Sequence, residues 1–255
     1  MFGSYLRLGK LFGIPFGLDI TFLIFSAFIA IFHPGALVAY AFLFASVTIH
    51  EIGHSLAARS LGIGTNAIIL HVLGGAAMLE MDYSQTLDKK KWARQEFVVG
   101  LAGPLTSLVL AALFFILWGA GLHSPFIRFL ALANLLVGCF NLLPIFPMDG
   151  GRILRAGLTR WVGFHKATVV ARWVARTLLA IATVASIYYG YYWGLFLIGF
   201  IFLFGEGEVK GGLRAHDAAT YTKRYFEKKL DSGEDLLDFE EIKRDLEEGW
   251  RKSND

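Results

Sequence analysis

The stretch at residues 36–58, ALVAYAFLFASVTIHEIGHSLAA, decides how the rest of this 255-residue chain is interpreted. Its first fourteen residues carry no ionisable side chain except the phenol of Tyr40, and His50, Glu51 and His54 follow. At 23 residues the run is long enough to cross a hydrocarbon layer of roughly 30 Å. An ionisable group at that depth costs several kcal/mol unless it is paired, coordinated or hydrated. Three such groups within five residues therefore indicate a shared purpose.

The composition of the whole chain favours residence in a membrane. Hydrophobic residues make up 55% of it and charged residues 18%, whereas a typical soluble domain is about 25% charged. A chain this apolar and this weakly charged cannot stay solvated as a monomer. The composition therefore argues against intrinsic disorder, against collagen-like repeats and against a nucleic-acid-binding domain or a nucleic-acid partner. Its single cysteine, Cys139, excludes an intrachain disulfide framework and a metal site built from cysteines.

Further apolar runs are candidate membrane spans, at residues 18–32, 97–119, 126–148, 177–192 and 193–204. Together with residues 36–58 they predict an all-α polytopic membrane protein with about six transmembrane helices. Lys and Arg fall almost entirely on one side of these spans, and Arg128 is the exception. The positive-inside rule then predicts a multi-pass protein with both termini in the cytoplasm. Because the chain is small and lacks targeting features, we expect a prokaryotic cell membrane.

Residues 63–81 break the helical pattern. A β-branched, apolar stretch at residues 68–73 meets Gly74 and Gly75 and continues from Ala76 as a second short apolar run. This pattern predicts two strands that turn at the glycines. We therefore expect a small membrane-associated β-sheet between the second and third helices. Open sheet edges cannot face lipid, so protein or a cavity must cover it.

The composition changes abruptly after Gly205. Residues 208–255 hold 23 of the 45 charged residues, which predicts a transmembrane domain at residues 1–207 and a charged cytoplasmic tail at residues 208–255. Apolar residues recur at three- and four-residue steps from Leu236 to Trp250 and predict an amphipathic helix. This helix could dock on the protein's own cytoplasmic face, bind a regulatory partner or self-associate, and the sequence does not rank the three.

The string His50-Glu51-Ile52-Gly53-His54 carries the chemistry. On a helix the two histidines project from one face and can bind one metal ion, while the glutamate can reach a water molecule beside it. The alternative is a helix with two buried histidines and a glutamate satisfied by their neighbours, which is disfavoured at membrane depth. Two histidines leave a catalytic zinc ion one protein ligand short.

Several acidic residues could supply the missing ligand: Asp19, Glu96, Asp149, Glu206 and Glu208. Asp149 stands out because two prolines precede it and two glycines follow it, which predicts an irregular backbone. Irregular backbone at membrane depth is tolerated where it lines a cavity, as a metal site that admits water requires. Asp149 could instead, or in addition, cap the helix expected at residues 150–161.

Four motifs together resemble the site-two protease family of intramembrane zinc metalloproteases. They are the HExxH string, Gly74-Gly75-Ala76-Ala77, Gly100-Leu101-Ala102-Gly103-Pro104 at the start of the third span, and Asn-x-x-Pro-x-x-Pro-x-Asp-Gly-Gly-Arg at residues 141–152. The glycines of the third motif are otherwise interpreted as a close helix contact. The resemblance extends over about residues 10–204.

The resemblance implies a set of site residues. One Zn²⁺ per chain would be held by His50, His54 and Asp149, with Glu51 as the general base. Asn141 would help to hold the substrate or the transition state. The resemblance also implies three core spans flanked by gating helices. The 48-residue tail departs from family members that carry a PDZ module or a nucleotide-sensing pair of domains, so the resemblance does not imply how activity is regulated.

The implied substrate is the transmembrane segment of another membrane protein within the lipid bilayer. A helical substrate hides its carbonyl groups, so we hypothesise that it unwinds and pairs with a strand edge within residues 63–81. Gly74, Gly75, Ala76 and Asn141 are the expected substrate-binding residues. The sequence does not indicate the substrate, the scissile bond, the regulatory signal or the oligomeric state.

Two other functions remain open at this point. A metalloprotease of the prenyl-protein-processing type also uses HExxH but takes a glutamate as third ligand, which predicts Glu206 or Glu208 at the metal. A divalent-metal transporter, or an inactive protein that sequesters transmembrane partners, would need the histidine pair but not Glu51.

Overall fold

The computed structural model describes residues 5–72 and 74–232, so the tail helix expected between Leu236 and Trp250 lies outside the described residues. The elements follow in the order β1 (Tyr5–Leu11), β2 (Ile14–Asp19), α1 (Ile20–Phe32), α2 (Leu37–Ser60), β3 (Thr65–His71), β4 (Gly74–Leu79), α3 (Lys89–Gly119), α4 (Pro125–Asn141), α5 (Asp149–Val162), α6 (Phe164–Tyr188) and α7 (Tyr192–Ser232). Short 3₁₀ helices lie at Pro34–Ala36 and Tyr83–Leu87.

The helices agree with the membrane architecture that the composition predicts. In the described part of the chain, four are long and apolar enough to cross a membrane: α2 with the helical turn before it, α3, α6 and α7. Two apolar helices, α1 and α4, are shorter, with 13 and 17 residues. The mostly helical fold is therefore confirmed.

Four predicted span boundaries were wrong by more than five residues. The third span begins at Lys89 and not at residue 97, because the charged start of α3 lowers its hydropathy without interrupting the helix. The fourth span ends at Asn141 and not at residue 148, because Pro144 and Pro147 lack the N–H that a helix needs. The fifth begins at Phe164 and not at residue 177, since charged residues lower the hydropathy of α6 without interrupting the helix. The sixth, expected at residues 193–204, is only the first part of the 41-residue helix α7.

The sheet is wider than predicted. Its order is β1-β2-β3-β4, in which β2 and β3 are parallel and the other pairs are antiparallel. The two strands expected within residues 63–81 are present as β3 and β4. The predicted turn at the glycines was wrong, because Gly74 and Gly75 lie within β4, paired with His71 and Leu70. The prediction that the whole sheet lies between the second and third helices was wrong, because an N-terminal hairpin supplies β1 and β2 before α1.

The hairpin turn and the buried strand explain this arrangement. Phe12 and Gly13 both have positive φ, at 51° and 86°, which is the backbone that a tight hairpin turn requires. Strand β3 lies inside the sheet, and its residues Ala67 to Leu70 are at most 4% exposed. Strand β4 is left at one edge of the sheet, where it packs against α2.

Helix α3 packs against α2, α4 and α5. Small buried residues, Gly100, Gly103, Ser107 and Ala111, recur along it at three- and four-residue steps and let the neighbouring backbones approach closely. The expected helix contact at the glycines is therefore present. The packing brings the HExxH turn of α2 and the start of α5 to the same helix.

Residues 142–148, the α4–α5 connection, are held between α5 and α7. Phe146 is 2% exposed, and its carbonyl oxygen faces Gly205 of α7. A Cβ added at Gly205 would lie under 3.0 Å from that oxygen, closer than real Cβ atoms approach. Among the described residues, no atom lies within 4 Å of a Cβ added at Gly207, two residues further along the same helix.

We expect Gly205→Ala to lower stability by about 1–3 kcal/mol, because α7 must move away from the carbonyl of Phe146. Gly207→Ala is the matched control and should be neutral or stabilising by about 0.5–1 kcal/mol, since it removes a helical glycine in open space. Thermal unfolding of the full chain in detergent measures both. Equal midpoints for the two variants would contradict the packing of α7 on the α4–α5 connection.

Candidate metal centre

Helix α2 presents its two histidines one turn apart. The Nε2 atoms of His50 and His54 are 3.1 Å from each other, and the residues are only 3% and 7% exposed. Both belong to the second half of a helix that begins at Leu37 and ends at Ser60. The i, i+4 spacing therefore places both imidazoles on one face, as the sequence predicts.

Asp149 reaches the same point from the start of α5. Its Oδ2 atom lies 3.1 Å from the Nε2 of His50 and 3.1 Å from the Nε2 of His54. We call these three atoms the donor triangle. Asp149 lies in the first turn of α5 and the N-cap is Met148, so this carboxylate contacts the histidines and does not serve as the N-cap.

The donor triangle has the size and chemistry of a tetrahedral metal site. Zinc bonded to nitrogen and oxygen at about 2.0–2.1 Å holds neighbouring donor atoms about 3.3 Å apart. All three sides of the triangle are 3.1 Å. Two imidazoles and one carboxylate are also a donor set that catalytic zinc uses. The residues present therefore fit a zinc ion.

The Nδ1 atoms of both imidazoles contact polar groups of α3. His54 Nδ1 donates to the carbonyl oxygen of Val99 at 2.7 Å. Because a carbonyl oxygen only accepts, Nδ1 carries the proton and Nε2 keeps its lone pair in the neutral ring. His50 Nδ1 lies 2.9 Å from the hydroxyl of Ser107, which is fully buried. Such partners orient metal-binding histidines.

Gly103 is a site residue that the sequence analysis interpreted only as a helix contact. A Cβ added there would lie under 3.0 Å from the Nε2 atoms of both His50 and His54. The backbone of α3 therefore covers the donor triangle directly, and only glycine leaves room. The pattern of small residues along α3 was the available signal, but it did not show which neighbour they contact.

Glu51 lies beside the triangle and is held by the edge of the sheet. Its Oε2 accepts a hydrogen bond from the backbone N–H of Ala77 at 2.9 Å. Its carboxylate and the two histidines offer ligand atoms within 4.8 Å of one another. Gly75 leaves room for this side chain, since a Cβ there would lie under 3.0 Å from its Cγ.

The remaining predicted site residues are more distant or differently engaged. Gly74 and Ala76 lie on β4, paired with His71 and Ile69 of β3. Asn141 ends α4, and its Nδ2 donates to the carbonyl oxygen of Val137 at 2.9 Å. Within the described residues, its side chain makes no hydrogen bond to the donor triangle.

The other acidic candidates have partners elsewhere. Asp19 caps α1, and Glu96 accepts hydrogen bonds from Trp92 and Arg155. Glu206 binds Arg172 and Arg176 of α6, and Glu208 binds Arg152 of α5. The geometry therefore disfavours the alternative that places Glu206 or Glu208 at the metal.

A comparison with known protein families gives a match consistent with this geometry. The sequence model of peptidase family M50 matches residues 38–123 and 117–185, which include the HExxH turn and Asp149. The chain belongs to peptidase family M50. The matched region also contains β3, β4 and all of α3, α4 and α5.

Individual relatives of this M50 member include a zinc metalloprotease of Methanocaldococcus jannaschii, 37% identical over 69% of this chain and 52% of that protein. Stage IV sporulation protein FB of Bacillus subtilis is 30% identical over 48% of this chain and 40% of that protein. The solved site-2 protease from Methanocaldococcus jannaschii superposes with a TM-score of 0.60 at 32% identity, covering 81% of this chain and 95% of that one. The M50 member spans about half the length, or less, of these two curated relatives.

We expect Gly103→Ala to abolish stoichiometric zinc binding, because the added methyl group would displace both imidazoles. Gly199→Ala on α7, where a Cβ meets no atom within 4 Å in the part of the chain that the structure describes, is the control. Metal analysis of both purified variants after zinc loading measures the difference. If Gly103→Ala retained one zinc ion per chain, the close approach of α3 to the donor triangle would be refuted.

Proposed function

We propose that this M50 member is an intramembrane zinc metalloprotease that hydrolyses peptide bonds within or near the transmembrane segments of membrane proteins. The donor triangle next to Glu51 on an apolar, membrane-length helix is the observation that carries this proposal. Membership in family M50 and the names of the relatives support the same activity.

In this proposal His50, His54 and Asp149 bind one zinc ion per chain. Their 3.1 Å separations and the fixed tautomer of His54 support these roles. The name of the Methanocaldococcus jannaschii zinc metalloprotease supports zinc as the metal. A bound zinc ion would supply Lewis-acid polarisation of the substrate carbonyl and activation of water.

Glu51 is the proposed general base. The N–H of Ala77 occupies Oε2, so Oε1 is the atom that we expect to take the proton from the attacking water. The same oxygen then returns the proton to the leaving amine. Asn141 is proposed to bind the substrate or the transition state. Its amide has two N–H donors, so one can serve the substrate while the other keeps its bond to Val137.

Strand β4 is the proposed substrate-binding edge. Ala77 donates to Glu51, so its N–H points away from β3, and alternation along the strand gives Gly75 and Leu79 the same orientation. An unwound substrate segment could pair with the N–H groups of Gly75 and Leu79, on either side of the Ala77–Glu51 hydrogen bond. Gly74 and Ala76 would support the edge through their pairing with β3.

We also propose the membrane topology that the charge distribution favours. The four long helices and the shorter α1 and α4 would together make six transmembrane helices in a prokaryotic cell membrane, with both termini cytoplasmic. Residues 1–207 would form the protease domain and residues 208–255 a cytoplasmic tail for a regulatory partner or self-association. Helix α7 crosses that boundary without a break.

Two substitutions separate catalysis from metal binding. We expect Glu51→Gln to retain zinc but lose cleavage of a transmembrane substrate by at least about 100-fold, since it removes the general base. Asp149→Asn should lose both zinc and cleavage, because it removes a charged ligand. Metal analysis and incubation of detergent-purified protein with an unstable transmembrane substrate measure the two effects. Cleavage that does not depend on Glu51 would refute the proposed function.

The role of the β4 edge is tested at Leu79. Leu79→Pro removes an N–H from the proposed substrate-binding edge, and Leu79→Ala makes a comparable loss of packing but keeps that N–H. We expect the proline variant to cleave about fivefold more slowly than the alanine variant, the effect of one hydrogen bond worth about 1 kcal/mol. Zinc content should be equal in the two. Equal cleavage rates would exclude pairing of the substrate at this position.

A further inference from the structure

Two glutamates of α7 bind different helices. Glu206 accepts hydrogen bonds from Arg172 and Arg176 of α6, at 3.0 and 2.7 Å from their Nε atoms. Glu208, two residues later, accepts one from the Nε of Arg152 on α5 at 2.7 Å. Helix α7 therefore has a separate charged contact with the helix that carries the Asp149 carboxylate.

Arg152 lies one turn after Asp149 on α5. The two residues are three positions apart, so they lie on the same face of the helix. Asp149 Oδ2 completes the donor triangle at 3.1 Å from both histidines. A contact that restrains the Arg152 side chain therefore also restrains the turn that positions Asp149, the proposed third metal ligand.

This turn of α5 has no free space in which to move. A Cβ added at Gly150 would lie under 3.0 Å from the carbonyl oxygen of Leu143, and one at Gly151 equally close to the backbone nitrogen of Phe146. Gly205 of α7 approaches the carbonyl oxygen of Phe146 from the other side. Residues 205–208 of α7 therefore contact both the α4–α5 connection and the first turn of α5.

The exposure of the Arg152–Glu208 ion pair indicates that it positions α5 and contributes little to the stability of the core. The side chains of Arg152 and Glu208 are 42% and 20% exposed, whereas those of the Arg155–Glu96 pair are 3% and 5% exposed. A partly exposed pair contributes little to stability. Glu208 Oε1 also lies 4.0 Å from Nη2 of the buried Arg155, but that guanidinium keeps its own partner, Glu96, when Glu208 is changed. The 2.7 Å hydrogen bond of Glu208 to Arg152 joins α7 directly to the start of α5.

We propose that Glu208 is a positioning residue for the metal centre: through Arg152 it holds the first turn of α5, and thereby the Asp149 carboxylate, against His50 and His54. The inference rests on the proposed function, because its effect is read at the zinc site. It makes α7 a structural part of that site although none of its side chains belongs to the donor triangle.

The test compares Glu208→Gln with Glu206→Gln in the full chain. Zinc affinity is measured in detergent by competition with a chromophoric chelator, and thermal unfolding of the metal-free proteins is followed in parallel. We expect Glu208→Gln to weaken zinc binding about tenfold, at the lower end of the effect of lost outer partners at metal sites. Glu206→Gln, whose partners lie on α6, should stay within about twofold of wild type.

A conservative variant separates positioning from general damage. Glu208→Asp keeps the charge opposite Arg152 and should retain zinc affinity within about threefold of wild type, with an unfolding midpoint equal to that of Glu208→Gln. The proposal would be overturned if Glu208→Gln bound zinc with wild-type affinity, or if Glu206→Gln weakened zinc binding equally. It would also be overturned if Glu208→Asp bound zinc as weakly as Glu208→Gln.

The same measurements distinguish this proposal from the proposed function. A wild-type chain that binds no zinc, or an Asp149→Asn variant with unchanged affinity, would refute the zinc site itself. Zinc affinity that falls in Asp149→Asn but is unchanged in Glu208→Gln would refute only the positioning role of Glu208.

Discussion

Burial of two imidazoles and a carboxylate within an apolar helix bundle is the constraint on which this structure depends. Each group alone would cost several kcal/mol at that depth. Together they place three electron-donating atoms 3.1 Å apart, an arrangement that a shared cation would satisfy. The rest of the core is arranged around this meeting point. In helix α3, Gly103 leaves room for both imidazoles, and the carbonyl oxygen of Val99 accepts a hydrogen bond from His54. The chain then breaks its helix so that Asp149 can arrive from the other side.

The sheet pairs the backbone of its two central strands on both sides and leaves β1 and β4 at its edges. The N-terminal hairpin pairs with β3, whose residues Ala67 to Leu70 become buried, and β4 remains at the edge beside α2. One amide of that edge, at Ala77, bonds to Glu51. The group that protects the edge and the group that we propose as general base are thus the same carboxylate.

Sequence reasoning worked where the determinants are local. The i, i+4 spacing of His50 and His54, and the prolines and glycines around Asp149, can be read without knowing what they contact, and the structure brings the three side chains together. Gly103 could not be assigned, because its role depends on a neighbour that only packing reveals. The parallel pairing of β2 with β3 joins segments about 50 residues apart, which no local pattern encodes. The proposed role of Asn141 is still untested.

The shortness of α1 and α4 has a consequence for the surrounding lipid. Helices of 13 and 17 residues are about 20 and 25 Å long, less than the roughly 30 Å of an average hydrocarbon layer. In the six-span topology that we propose, hydrophobic mismatch of this sign would be relieved by local thinning of the bilayer or by side chains that reach outward to the headgroups. A thinned lipid ring around these two helices would shorten the path of water into the protein and weaken the contact of the bilayer with a neighbouring helix, so the lipid would take part in how the proposed substrate is reached.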